Sequence, residues 1–201
     1  MRQALLLMFL FIAALPAPAG GTRAPLDSSA HRYEGLFFEF RVVPQYEVGP
    51  SVVERGEIAL LGPGYAFSRM CVVSLLFATG SRVVEPSGTR PVNGEFGFGG
   101  ARLEITYSPA AESPIRPFCS AGAGLYSIIN VGGFGYNGNG VHAGAGVGWE
   151  PTDFFRSKLG IEYDRMRFYN QIRASGGVFE PFTLNSLGVS LSVSFVPGIV
   201  P

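Results

Sequence analysis

The stretch Leu187-Gly188-Val189-Ser190-Leu191-Ser192-Val193-Ser194-Phe195 alternates large apolar residues with glycine and serine without a break. Only a β-strand sends every second side chain to the same face. One face therefore carries Leu187, Val189, Leu191, Val193 and Phe195, and the other carries nothing larger than a hydroxyl. A strand that is apolar on one side and small and polar on the other suits the wall of a transmembrane β-barrel, with lipid outside and a polar interior.

The rest of the chain reads the same way. From Tyr33 onward, strand-like pieces are expected at about 34–43, 52–61, 65–78, 96–108, 116–128, 141–149 and 154–168, before the last one at 187–195. In the fourth, Ala101, Leu103, Ile105 and Tyr107 oppose Arg102, Glu104 and Thr106. In the seventh, Leu159, Ile161 and Tyr163 oppose Lys158, Gly160, Glu162 and Asp164. The second piece mixes polarities and the third is apolar on both faces around Met70–Phe77, so the facing of both stays open. Short turns are expected at Leu61–Gly64, Pro109–Pro114 and Glu150–Asp153, and longer loops at Pro44–Ser51, Thr79–Glu95, Ile129–Gly140 and Tyr169–Thr183. Short and long connections that alternate are what an up-and-down barrel with short periplasmic turns and longer external loops requires. The fold class expected is all-β, an eight-stranded antiparallel transmembrane barrel over residues 33–196.

Composition narrows the function classes. The 201 residues carry 15 basic and 15 acidic side chains, so no cationic excess is available to neutralise nucleic-acid phosphates. Arg2, the apolar run Ala4–Leu15 and the small-x-small pattern Ala17-Pro18-Ala19 read as a signal peptide over 1–19, followed by a lead-in at 20–32. Export makes the outer membrane the expected location. Cys71 and Cys119 fall on the third and fifth strands, two strand spacings or roughly 9–10 Å apart. That exceeds the roughly 7 Å limit for a disulfide, so both are expected as wall residues.

Arg116-Pro117-Phe118-Cys119-Ser120-Ala121-Gly122-Ala123-Gly124, Ala143-Gly144-Ala145-Gly146-Val147, Leu159-Gly160-Ile161-Glu162-Tyr163 and the last strand together resemble the eight-stranded outer-membrane barrels of Gram-negative bacteria, the OmpA-like or opacity-like group. The resemblance is clear over Ala101–Phe195 and loose before it. It implies outer-membrane lipid and LPS as surroundings. It also implies that Phe195 on the terminal strand is read by the barrel assembly machinery, although Val196–Pro201 follows, of which 197–201 form a C-terminal extension.

Glu39, Arg41, Arg102, Glu104, Arg116, Lys158, Glu162 and Asp164 all fall on faces expected to point inward. A barrel of eight strands has room inside for little more than side chains, so these charges are expected to pair into a polar plug. Trp149, Tyr163 and Phe195 are expected as interface aromatics. Gly133-Phe134-Gly135-Tyr136-Asn137-Gly138 matches G-x-G-x-x-G in letters only, because a strand pattern and not a helix follows it; an external glycine-rich loop is expected there. His142 is expected at the outer rim, without the nucleophile and acid that catalysis needs. Tyr136, Asn137, Asn139, Tyr169, Asn170, Gln171, Arg173 and Phe179 are expected in the long loops, either as contact anchors for a host or cell-surface ligand or as membrane-interface aromatics and LPS-facing cations. The function expected is non-enzymatic, with no cofactor and no metal: structural support or surface interaction through the loops. The alternatives are a narrow porin-like passage for small or hydrophobic solutes, and a soluble secreted ligand-binding barrel.

Overall fold

Period-two patterning forces strands, and eight of them close on themselves. The computed structural model describes residues 35–48, 55–68, 70–84, 94–109, 114–130, 135–152, 155–171 and 181–195. The strands are β1 Gly35–Glu47, β2 Arg55–Ala66, β3 Cys71–Val84, β4 Gly94–Tyr107, β5 Ile115–Asn130, β6 Gly135–Thr152, β7 Phe155–Gln171 and β8 Phe182–Phe195. Each pairs antiparallel with the next, and β8 returns to β1 through pairs such as Phe40 with Val193 and Val42 with Leu191. Closure leaves no open edge, which is the condition for strands to sit in lipid. The expected signal segment 1–19, lead-in 20–32 and extension 197–201 lie outside the described residues, as do Arg173 and Phe179.

The strands are longer than the sequence pattern suggested. Leu61–Gly64 is not a turn. It continues β2, opposite Phe40, Glu39, Phe38 and Phe37 of β1, and the chain reverses instead between Ala66 and Cys71, where Ser68 Oγ accepts from the amides of Met70 and Cys71. The glycines of that stretch serve packing. A Cβ at Gly62 would stand 1.9 Å from the Leu75 carbonyl oxygen, and one at Gly64 would stand 2.1 Å from the Phe37 ring. Likewise Gly135–Gly140 belongs to β6 and pairs with Gly124–Ile129 of β5, so the glycine-rich segment is mostly wall, and β7 and β8 reach into the expected loop Tyr169–Thr183. Turn composition misled the reading because glycine on a crowded inner wall has the same letters as glycine in a loop. Cys71 and Cys119 flank Tyr107 across β4, two strands apart, and both are free.

Face polarity inverts along most strands, where one polar inner face was expected; β1 is the exception, with Gln45 buried and Tyr46 outward at its upper end. On the lower part of β7, Leu159, Ile161 and Tyr163 point out while Lys158, Glu162 and Asp164 lie inside; higher up, Arg165 and Arg167 point out while Met166 and Phe168 are buried. On β4, outward Leu103, Ile105 and Tyr107 oppose buried Arg102, Glu104 and Thr106, and above them Phe96 and Phe98 turn inward. On β8, Ser186, Ser190, Ser192 and Ser194 give way inside to Leu184 and Phe182. The same switch settles the two strands left open: β2 buries Ile58 and Leu60, and β3 buries Leu76 and Ala78 beyond Ser74. The upper interior is thus an apolar core of Val43, Leu60, Leu76, Phe96, Phe98, Ile128, Phe168 and their neighbours.

A wholly polar interior was expected, and the correction has a simple cause. The apolar outer belt on β8 spans Leu187–Phe195, which matches the roughly 9–11 residues a tilted strand needs to cross a bilayer. Beyond that height the outside meets water, so the wall must bury its apolar residues inward, as a soluble barrel does.

Replacing Gly62 with Ala should destabilise the folded barrel in detergent by about 1–3 kcal/mol, seen as a lower urea midpoint in the heat-modifiable band on gels. A surface turn at this place would leave the midpoint unchanged.

Candidate functional site

Arg41 organises the lower interior. Its position on β1 puts it on the inner face between Glu39 and Val43, and it meets carboxylates from three strands. Nη2 donates to Glu39 Oε1 at 2.6 Å and Glu104 Oε1 at 2.7 Å, and Nη1 donates to Glu162 Oε1 at 2.7 Å and Glu104 Oε2 at 3.0 Å. The side chain is 3 % exposed. The planar fork of an arginine fits two oxygens of one carboxylate at once, which a lysine cannot do.

Arg102, on β4, forms the second node. Its Nη2 lies 3.0 Å from Glu104 Oε2 and 3.3 Å from Glu162 Oε2, and Nη1 donates to Asp164 Oδ1 at 3.2 Å. Lys158 Nζ reaches Glu39 Oε2 at 3.2 Å, and Gln45 Nε2 donates to Asp164 Oδ2 at 2.6 Å. Arg116 stands apart from this group: it pairs with Glu150 near the lower mouth, where Arg156 also approaches Glu150 at 3.6 Å. A vestibule of about 50 Å³ opens there, lined in part by Arg116, Glu150, Arg156 and Lys158. So the structure brings Glu39, Arg41, Arg102, Glu104, Lys158, Glu162 and Asp164 into one network and leaves Arg116 in another.

Sequence reasoning missed two members. Gln45, expected in a loop from Pro44, lies on β1, which continues to Glu47. His142, expected at a rim, is buried halfway along β6, which begins at Gly135. Its Nε2 lies 3.3 Å from Ser120 Oγ and 3.3 Å from Glu104 Oε2, and its Nδ1 lies 3.0 Å from Arg102 Nη1 and 3.2 Å from Asp164 Oδ1.

Ser120, His142 and Asp164 therefore stand in the order nucleophile, base and acid, a constellation the sequence did not disclose. The surroundings work against its use. A triad needs an Nδ1–H directed at the acid and an Nε2 free to take the serine proton. Here Arg102, which can only donate, faces Nδ1 at 3.0 Å, and Nε2 has Glu104 beside it. All three residues are buried. His142, Glu162 and Asp164 also offer ligand atoms within 4.8 Å of one another, but Arg102 bonds to all three, and its fixed positive charge opposes a metal ion in that space.

The expected interface aromatics are all exposed. Trp149 lies near the lower end of β6, and Phe195 packs edge-on against Phe155 with ring centroids 5.5 Å apart. Tyr163 sits mid-strand, directly below outward Arg165, and its hydroxyl donates to Asn185 Oδ1 at 3.0 Å; it marks the upper edge of the belt. Tyr136, expected as an exposed loop anchor, is instead 5 % exposed and packs edge-on against Phe182. Burial raises its phenol above the ordinary value. Asn137, Asn139 and Tyr169 are exposed, but on strands.

The comparisons agree with this architecture. No family model matches the chain, and no curated protein does. Among solved structures it is similar to Neisserial surface protein A, with a TM-score of 0.57 and 14 % identity over 80 % of this chain and 96 % of that one. It is more distantly similar to the outer membrane protein OprG from Pseudomonas aeruginosa, with a TM-score of 0.43 and 13 % identity over 81 % and 96 % of the two chains. Ail of Yersinia pestis gives 0.38 and 16 % over 81 % and 97 %. The fold is that of the eight-stranded outer-membrane β-barrels. The apolar belt around a closed wall seats this chain in an outer membrane.

Arg41→Met should destabilise the folded barrel by about 3–5 kcal/mol, because it leaves buried carboxylates without a partner, and Arg41→Lys should recover little of that. Arg116→Met should cost much less, since Glu150 is partly open to solvent. Denaturant titration of the three variants in one detergent ranks them. A fluorophosphonate probe should leave Ser120 unlabelled in the folded barrel, so that wild type and Ser120→Ala both show no probe adduct by mass spectrometry.

Proposed function

We propose that this protein is a sealed, non-enzymatic outer-membrane barrel that acts as a scaffold. In this reading it supports the membrane and displays its upper walls and four external connections for contact with host or cell-surface ligands. One observation carries it. From the lower mouth upward, the interior is occupied first by the Arg41 and Arg102 ion network and then by the apolar core around Phe96, Phe98 and Phe168. Ions crossing would have to break a network of buried ion pairs and then enter hydrocarbon-like packing, and both steps oppose an aqueous path. The upper walls meanwhile extend beyond the belt as rigid platforms for the connections, and loops on a rigid scaffold are where binding resides.

The apolar upper interior favours a second reading, passage of hydrophobic solutes, over a water-filled pore. The two are separable in planar bilayers and liposomes. The scaffold reading expects no stepwise ionic conductance from the reconstituted barrel and no faster entry of a small alkane or a fluorescent fatty acid than into empty liposomes. Steady single-channel current would overturn it. Accelerated uptake of the hydrophobic probe without current would replace it with the second reading.

A further inference from the structure

Among the described residues, the outward charges just above the apolar belt are not spread evenly around the barrel. On β7, Arg165 and Arg167 both point outward and are exposed. Two residues apart on one face of a strand, their Cα atoms stand about 7 Å from each other. At the same height on the flanking strands, Arg165 pairs with Val141 and Asn185, and Arg167 with Asn139 and Thr183. Below them Tyr163 closes the belt and holds Asn185 through its Oδ1, which leaves the Nδ2 end of that amide as the donor. No carboxylate of the described residues pairs with either arginine. The described outward acid at a comparable level is Glu57, on β2, three strands around the wall.

We propose that Arg165 and Arg167, with Asn139, Asn185 and Thr183 beside them, form a binding site for the phosphate of an outer-leaflet lipid whose acyl chains lie against the belt on β7 and β8. Charge and position both identify the occupant. Two guanidiniums with only donors and amides around them complement an anion, and phosphate accepts their forked N–H groups bidentately. The apolar surface of Leu159, Ile161, Leu187 and Val189 runs directly beneath, so acyl chains packed there bring a headgroup to the level of the arginines. A glycolipid with a phosphate on its sugar meets both requirements at once; a free phosphate meets one.

The test uses the folded full-length barrel in detergent with diphosphorylated lipid A as the probe, read by native mass spectrometry. Wild type should retain one lipid molecule selectively. Arg165→Gln/Arg167→Gln should weaken that binding about 30-fold, given the usual contribution of each surface cation. Arg165→Lys/Arg167→Lys should hold an intermediate affinity, and Glu57→Gln should bind as wild type does. The dephosphorylated lipid should bind as weakly as the double glutamine variant binds the parent lipid, and inorganic phosphate at millimolar concentration should not displace the lipid. Unchanged affinity in the double glutamine variant, with its heat-modifiable band confirming the fold, overturns the site. Equal binding of the dephosphorylated lipid overturns phosphate recognition, and displacement by inorganic phosphate overturns the lipid as occupant.

Discussion

Arg41 sets the terms on which the lower half of this barrel exists. A closed wall with lipid outside leaves inward charges no solvent and no exit, so every buried carboxylate must find a donor within the lumen. One guanidinium answers Glu39, Glu104 and Glu162 together, and those residues come from β1, β4 and β7. The network therefore braces the cylinder across its diameter, where the backbone ladders hold it only around the circumference. Arg102 and His142 extend the brace to Asp164 and to β6, and Lys158 gives Glu39 a second cation.

The glycines of the inner wall follow from that brace. Side chains as large as arginine, glutamate and histidine share the lumen with eight strands, and somewhere the wall has to yield space. It does so along β6, where a Cβ at Gly146 would come within 2.1 Å of the Leu159 carbonyl oxygen and one at Gly144 within 2.7 Å of Ser120 Oγ. Bulk on β1, β4 and β7 and bareness on β6 and β8 are two sides of one packing solution. The same crowding holds Ser120, His142 and Asp164 in catalytic order, while the network that placed them there takes up their hydrogen-bonding partners.

Above the belt the constraint reverses. Water outside and no lipid to satisfy means that the wall folds as a soluble barrel would, with rings inside and amides and arginines outside. One chain thus uses two opposite rules of burial within single strands, and the boundary between them falls at Tyr163 on β7 and between Leu187 and Asn185 on β8. Arg165 and Arg167 stand at that boundary, where the chemistry of the surroundings changes from acyl chain to headgroup.

The sequence by itself determined the strands, their number, the closed antiparallel order, the apolar belt and the inward set of charges, because period-two alternation is a local property that survives any tertiary arrangement. It could place Glu39, Arg41, Arg102, Glu104 and Glu162 on one side of the wall, since each alternates with outward apolar neighbours, and Asp164 two residues on from Glu162 in the same alternation. It could not say that Arg41 and Glu104, distant along the chain, would share two hydrogen bonds, nor that Arg116 would turn away to Glu150. Strand ends differ from the sequence expectation at Gly62, Gly64 and Gly135–Gly140, where glycine stands at the margin of the clear alternation, and the depth of His142 differs with them. The inversion of polarity was written in the letters, in Arg165-Met166-Arg167-Phe168 for example, but only the tertiary structure decided which face was inside at that height. A strand records that its two faces differ; the closure of the barrel and the level of the membrane settle which of them meets lipid, water or the core.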